Sequence, residues 1–252
     1  MLPNHSPLAV SEQFGTLAQL YPNRIDLGLG RAPGTDGLTA QYMNENFMKN
    51  VQEFPQNVSL IQQFFSTENE QAKVRAYVAE GTQVPIYILG SSTDSAVLAA
   101  AYGLPYAFAS HFAPQQMAAA FRFYTNEFQA NDLLEKPHKI ACVNVIVGET
   151  NEEAKLHASS FYKMFLGLIR NQRSTMKKPD MTYYDDWTVV EEAHLSQMTA
   201  GSFIGDEETV ARNLKQFIDR YQIDEIMMSC PIYSAEQRLY SMEKFASIMR
   251  KI

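Results

Sequence analysis

The chain is poor in the residues that build metal sites, disulfide frameworks and nucleophile motifs. Only Cys142 and Cys230 occur among 252 residues. Each falls in an apolar run, and neither has a Cys or His at metal-ligand spacing. They read as buried thiols of a reducing compartment, which predicts a cytoplasmic protein. The five histidines, at 5, 111, 138, 157 and 194, are scattered, with no H-x-x-x-H pair. No G-x-S-x-G elbow and no Walker loop is present, which argues against serine hydrolase and nucleotide-hydrolase chemistry. There is no dense basic cluster, and the formal net charge is −7, so nucleic acid is not an expected partner. The richest basic stretch, Arg170 to Lys178, reads as a solvated connecting loop. No apolar run approaches the ~20 residues that span a bilayer, and MLPNHSPLAV lacks the charged start and apolar core of a signal peptide. No membrane association is expected.

What is present is an ordinary globular composition, 46% apolar with 19% charged residues, enough for one large domain or two small ones. Short apolar, β-branched runs at 24–29, 84–89, 105–109, 139–147 and 224–229 read as strands buried on both faces. Helical patterns separate them. One runs from Pro7 to Leu20. Another covers 38–65 with a break near Phe54-Pro55. Others lie at 114–128, 189–198, 207–221 and 235–252. A capping box, Thr150 to Glu153, opens a further helix whose apolar stripe is Ala154, Ala158, Phe161, Phe165 and Leu168. Tyr42, Phe47, Phe161 and Phe165 are expected in the core. Residues 171–200, with the sole tryptophan, read as an irregular insertion in a single domain spanning 1–252. The alternation predicts an α/β fold with parallel strands.

The Gly, Ser and His residues cluster after the strands, where such folds place active sites. Gly28-Leu29-Gly30-Arg31-Ala32-Pro33-Gly34 is a poor dinucleotide fingerprint, because Pro33 takes the sixth position and no helix follows at once. Arg31 is the more useful residue there, either as an anion ligand or as a surface partner of Asp36. After the second strand comes Gly90-Ser91-Ser92-Thr93-Asp94-Ser95. Its hydroxyls, with the free N–H groups of a helix start, suit a phosphate. Plain capping by Ser92 or Thr93 explains the same residues. His111, two residues past the third strand, faces a ligand, donates a proton or caps the next helix. Asn4 or Ser6 is expected to cap the first helix, and His5 to reach a pocket or stay at the surface. With no catalytic triad legible, the chemistry is expected from a bound cofactor.

Three segments resemble the bacterial luciferase-like flavin monooxygenase family. LPNHSPLAVSEQFGTLAQLYPNRIDLGLGRAPGTD is similar to its Leu-Pro…Pro helix followed by Gly-Arg-x-x-Leu-Gly-x-Gly-Arg-Gly. Asn23 stands where the family has Gly before Arg24, and Ala32 where it has Gly after Arg31. VPIYILGSSTDSAVLAAAYGLP is similar to its Pro-x-x-x-x-Gly-x-Ser strand-turn-helix. GDEETVARNLKQFIDRYQIDEIMMSCPIY, with the closing helix and Arg238, is similar to its last unit. The resemblance implies a (β/α)8 TIM-barrel fold that holds reduced FMN at the C-terminal strand ends. By that analogy Arg31 and the amides or hydroxyls of Ser91, Ser92 and Ser95 hold the phosphate. Gly90 keeps backbone clear of the ribityl chain, and Gly30 is a further cofactor-binding candidate. Ala109 and Ser110 lie near the flavin ring or substrate, and His111 and His5 are the catalytic candidates. The implied reaction uses reduced flavin, supplied by a separate NAD(P)H reductase, and O2 to put one oxygen atom into a small organic substrate, in a site that excludes water. The resemblance further implies a homodimer. The chain starts where family members already have their first strands, so an N-terminally incomplete barrel is expected. A flavin-binding protein without turnover, and a deazaflavin-dependent dehydrogenase on the same fold, are the alternatives.

Overall fold

Local sequence decides where most helices begin. The computed structural model describes residues 1–172, 174–182 and 187–252. Among these, six strands alternate with ten α-helices. Asp36 caps α2 (Gly37–Met43), Thr150 caps α7 (Asn151–Ile169) and Asp206 caps α9 (Glu207–Tyr221), each accepting a backbone N–H of the first turn. The complete capping box is at Thr188 and Glu191, opening α8 (Val189–Met198). At Thr150 it is half made, because the Glu153 carboxylate takes the N–H of Glu149 instead. Ser6 precedes α1 (Pro7–Leu20) without a side-chain cap. The pattern at 38–65 resolves into α2, α3 (Phe47–Gln52) and α4 (Phe54–Phe65), with Pro55 in the first turn of α4, where proline is tolerated.

The described chain divides into two compact units. The first comprises Met1–Gly90, Asp94–Ala107 and Phe123–Pro137. Here β1 (Leu27–Gly30) pairs in parallel with β2 (Ile86–Gly90), Gly30 opposite Leu89. Ile88 N–H donates to the Pro105 carbonyl just before β3 (Tyr106–Phe108), and Ala107 is the last β3 residue in this unit. Helix α1 packs on α4, and Gly15 lets Ala79 come so close that a methyl group would overlap its backbone. Phe47 is buried as expected, but Tyr42 is 85% exposed: α2 is only seven residues long, and Ala40 is its buried residue.

The second unit comprises Ser91–Thr93, Phe108–Arg122 and His138–Ile252. Its spine is β4 (Lys139–Val147), whose backbone polarity alternates between two sides. Its residues Ile140–Asn144 pair in parallel with β6 (Glu225–Ser229). Past the end of β6 the Val147 N–H is taken by the Ser241 hydroxyl of α10 (Ala235–Met249), at 2.9 Å. On the other side, Cys142 meets the segment after β3, and residues from Asn144 on meet β5 (Ser202–Gly205). β5 is a strand that the hydrophobic pattern does not show. Behind β4, Ile146 packs with Ala154, Ala158, Phe161 and Phe165 of α7 and with Leu195 of α8. Leu168, expected on that stripe, is 42% exposed near the helix end. In the 170–178 stretch Arg170 is not merely solvated: its Nε lies 2.6 Å from Glu191 Oε1 and ties α7 to α8. Arg173 and residues 183–186 of the irregular segment lie outside the described residues. No described helix is long and apolar enough to cross a membrane.

Candidate functional site

Because β1 and β2 run parallel, their C-terminal ends share an edge, and both end in glycine: Gly30 and Gly90. Arg31 leaves β1 at that edge. Its guanidinium Nη2 lies 3.2 Å from Asp94 Oδ2, so its partner is Asp94 rather than Asp36. Asp36 is unavailable: both carboxylate oxygens are bonded to Thr39, and the Thr39 backbone N–H above all holds its pKa below the usual range.

Asp94 and Ser95 belong to the first turn of α5 (Thr93–Ala101). With Arg31 and Leu89 they line a cleft of about 270 Å3 whose remaining wall is apolar, including Phe54 and Leu98. Ser95 is half-buried, and its Oγ is 2.9 Å from the Tyr106 hydroxyl. A methyl group at Gly90 would overlap the Ser95 side chain. The glycine therefore makes room for the serine, a contact that its place beside a presumed cofactor did not reveal. Among the expected phosphate ligands, the structure brings Arg31 and Ser95 to one cleft in the first unit, with Gly30 and Gly90 at the strand ends beneath them. Ser91 and Ser92 are half-buried in the second unit, and Ser92 immediately precedes α5. His5, in the first unit, is exposed and follows a turn in which its N–H donates to the Leu2 carbonyl. It does not line the cleft. Neighbouring Asn4 instead ties the N-terminal turn to the loop after Arg31, donating to the Pro33 carbonyl at 3.1 Å.

In the second unit, Ala109, Ser110 and His111 form a tightly braced turn. The Cys142 carbonyl accepts the His111 N–H at 2.7 Å and the Ser110 hydroxyl at 2.6 Å. Asn144, 3% exposed, donates to the His111 carbonyl at 3.2 Å and reaches Ser202 Oγ at 3.3 Å. Gly201 lies so close to Ser110 that a methyl group there would overlap the Ser110 carbonyl oxygen. The Ser110 hydroxyl is thus committed inward, while the His111 imidazole is half-buried with Nδ1 out of water and without a hydrogen bond. Burial pushes the His111 pKa down, partly offset by the Cys142 carbonyl. The ring is neutral at neutral pH and keeps one unused polar atom, an arrangement that suits a ligand contact. Asn144 and Gly201 escaped the sequence reading. A polar residue inside an apolar strand was the signal for Asn144.

Other polar groups are already employed. Burial raises the Cys142 thiol to about 11 and also raises Cys230, so neither is a reactive thiolate. Arg238 donates through Nε and Nη2 to the Ile232 carbonyl, bracing the loop after β6. No cluster of three or more His, Cys, Asp or Glu residues able to hold a metal occurs among the described residues.

Comparison with known proteins identifies relatives along the whole chain. The sequence model of the luciferase-like monooxygenase family matches residues 1–221. A luciferase-like monooxygenase of Escherichia coli (strain K12) is 38% identical over 243 residues, covering 96% of this chain and 72% of that protein. The crystal structure of apo-MsnO8 superposes with a TM-score of 0.84 at 22% identity, covering 99% of this chain and 76% of that one. The oxygenating constituent of 3,6-diketocamphane monooxygenase from Pseudomonas putida, solved with FMN, gives a TM-score of 0.66 at 16% identity, covering 97% and 76%. An F420-dependent secondary alcohol dehydrogenase shares the fold at a TM-score of 0.64 and 11% identity, covering 97% and 75%. At these identities the solved structures speak for the fold, which is of the α/β, (β/α)8 TIM-barrel type expected from the sequence.

Proposed function

The chain belongs to the luciferase-like monooxygenase family, and we propose that it works with reduced FMN and O2 to put one oxygen atom into a small organic substrate. The observation that carries the cofactor choice is the placing of Arg31 and Ser95 in one cleft at the C-terminal ends of β1 and β2. A guanidinium fork and a hydroxyl at a helix start are donors of the kind a phosphate monoester takes. The donor set fits the group. The anion Arg31 now meets, Asp94, is exposed and held by one contact that a phosphate can replace.

Bound flavin supplies the redox chemistry and the reaction with O2. The chain's own residues bind and orient. Arg31 and Ser95 hold the phosphate end, with Ser91 and Ser92 as further donors, and Gly30 and Gly90 leave the strand ends open. β4 and Gly201 brace the backbone of the Ala109–His111 turn that carries the imidazole. Neutral His111 offers either a donor or an acceptor at Nδ1 to a polar group of flavin or substrate. His5 stays a weaker candidate on the surface of the first unit. In the same reading, reduced flavin comes from a separate NAD(P)H reductase and the working form is a homodimer.

The test is a titration of the chain with FMN, riboflavin and a deazaflavin, followed by O2 uptake with candidate substrates. FMN binding at least ~10-fold tighter than riboflavin is expected, the value of a charged hydrogen bond or two. Equal binding of FMN and riboflavin removes the phosphate anchor. Binding of the deazaflavin alone, with turnover that takes up no O2, replaces the monooxygenase reading with a dehydrogenase.

A further inference from the structure

We propose that Asn144 is a positioning residue for His111: its buried carboxamide holds the backbone of the 109–111 turn against β4 and thereby keeps the imidazole in its half-buried place. The inference rests on the reading above that gives the imidazole a ligand contact, and adds to it a residue that need not touch the ligand.

Asn144 stands at a fork in β4. It is the last residue of that strand paired with β6, opposite Ser229, and the first paired with β5, opposite Ser202. Its backbone N–H donates to the Gly201 carbonyl at 3.0 Å. Two positions earlier, the Cys142 carbonyl accepts the His111 N–H at 2.7 Å. The Asn144 side chain joins the two segments: Nδ2 donates to the His111 carbonyl at 3.2 Å and to Ser202 Oγ at 3.3 Å. A carbonyl oxygen only accepts, so the group that faces His111 is the NH2 and not the amide oxygen. His111 is thus held at both of its backbone polar groups, the N–H by the backbone of β4 and the C=O by a side chain further along the same strand.

A carboxamide inside an apolar strand carries a desolvation cost unless it is bonded. Asn144 lies between Val143 and Val145, which are fully buried. The strand pairing does not require it, because the ladder to β5 is made by backbone groups that any residue supplies. What only the side chain supplies is the bond to the His111 carbonyl. The imidazole has no hydrogen bond at Nδ1 to anchor it, so its depth follows from where the turn sits. Burial is the larger influence on the His111 pKa and lowers it, with the Cys142 carbonyl opposing. Loss of the Asn144 donor frees the His111 carbonyl, lets the turn lift from β4 and lets water reach Nδ1. The proton affinity of the ring therefore reports how deep the ring sits.

The experiment follows the histidine Cε1–H signals by NMR as the pH is varied, without added flavin, in the wild-type chain, Asn144→Leu and Ser202→Ala. His111→Gln assigns the His111 signal among the five histidines. Asn144→Leu keeps the size of the side chain and removes both donors. The expected result is a His111 midpoint raised at least halfway from its wild-type value toward the ordinary ~6.5, with the other histidines unchanged. Ser202→Ala removes only the second partner and is expected to leave the His111 midpoint where it was. A merely structural Asn144 lowers the urea midpoint of Asn144→Leu and leaves the His111 titration alone, and that result overturns the inference. So does an equal rise in Ser202→Ala, which assigns the effect to the entry of β5. Should Asn144→Leu fail to fold, the wild type carries the test: the side-chain nitrogen signal of Asn144 is expected to titrate at the His111 midpoint, and a signal that stays flat overturns the inference. No flavin enters these measurements, so a chain that binds FMN no tighter than riboflavin overturns the reading above and not the placing of His111.

Discussion

Arg31 Nη2 lies 3.2 Å from Asp94 Oδ2, and the pair joins the end of β1 to the first turn of α5 across 63 residues of sequence. Both side chains are largely exposed, 47% and 71%. An ion pair in that setting is worth about 0–1 kcal/mol, so it holds Arg31 in place without locking it. The acid suits the positive end of a helix, yet it opposes an anion arriving at the same end.

Replacing Arg31 by Ala should weaken FMN by ~10- to 100-fold and leave riboflavin unchanged, the range for a lost hydrogen bond to a charged group. Asp94→Asn should act in the opposite direction, tightening FMN by ~2- to 5-fold, since it removes a competitor of exposed-pair strength. Fluorescence titration of both flavins decides the matter. If Asp94→Asn loosens FMN, Asp94 orients Arg31 and does not compete for it.

His111 gives the chain a pH dependence with a definite sign. Burial lowers its folded-state pKa, while an unfolded histidine takes its proton near pH ~6.5. Below that value the unfolded chain binds the proton first. The contribution of neutral His111 to stability is thus complete above pH ~6.5 and is lost as the pH falls through the lower folded value. His111→Gln should flatten the fall of the urea midpoint between pH ~7 and ~5. It should also lower turnover, with FMN affinity near wild type if the ring meets the substrate and lowered if it meets the flavin. A midpoint that falls as steeply in the variant assigns the slope to other groups.

β4 was legible because nine residues of nearly unbroken apolar character can be little else, and α7 because Thr150 and Glu153 mark its start ahead of an apolar stripe. β5 was not legible. Its four residues, Ser202–Gly205, include a serine and a glycine, and only pairing with Asn144–Val147 makes them a strand. The Arg31 partner was misjudged for a similar reason. Asp36 is near in sequence but is consumed as a helix cap, and Asp94 is brought in by the parallel pairing of β1 with β2. Ser95 and Gly90 could be picked out as residues at a strand-helix junction. Their fit to each other and to Tyr106 depends on the tertiary approach of β3, which no local pattern encodes.

The Ser241 hydroxyl replaces β6 as the partner of the Val147 N–H, and it is fully buried. Ser241→Ala would leave that backbone donor unpaired, at a cost of about 1–3 kcal/mol in denaturant unfolding. Ser241→Thr, which keeps the hydroxyl, should recover part of it. No change on Ser241→Ala would mean that another group reaches the end of β4.

Gly201 separates the bracing of the His111 turn from the fold as a whole. A methyl group at this position overlaps the Ser110 carbonyl oxygen and stands 3.4 Å from the His111 nitrogen. Both neighbours are backbone, so the clash is relieved only by moving the 109–111 turn or the entry to β5. Forcing an extra methyl into such a contact costs about 1–3 kcal/mol. Gly201→Ala should therefore lower the urea midpoint and lower turnover more than His111→Gln does, because it displaces the whole turn. FMN and riboflavin affinities should move together in this variant, since neither Arg31 nor Ser95 is among the atoms that an added methyl meets. Selective loss of FMN in Gly201→Ala would contradict that expectation and give the His111 turn a part in phosphate binding.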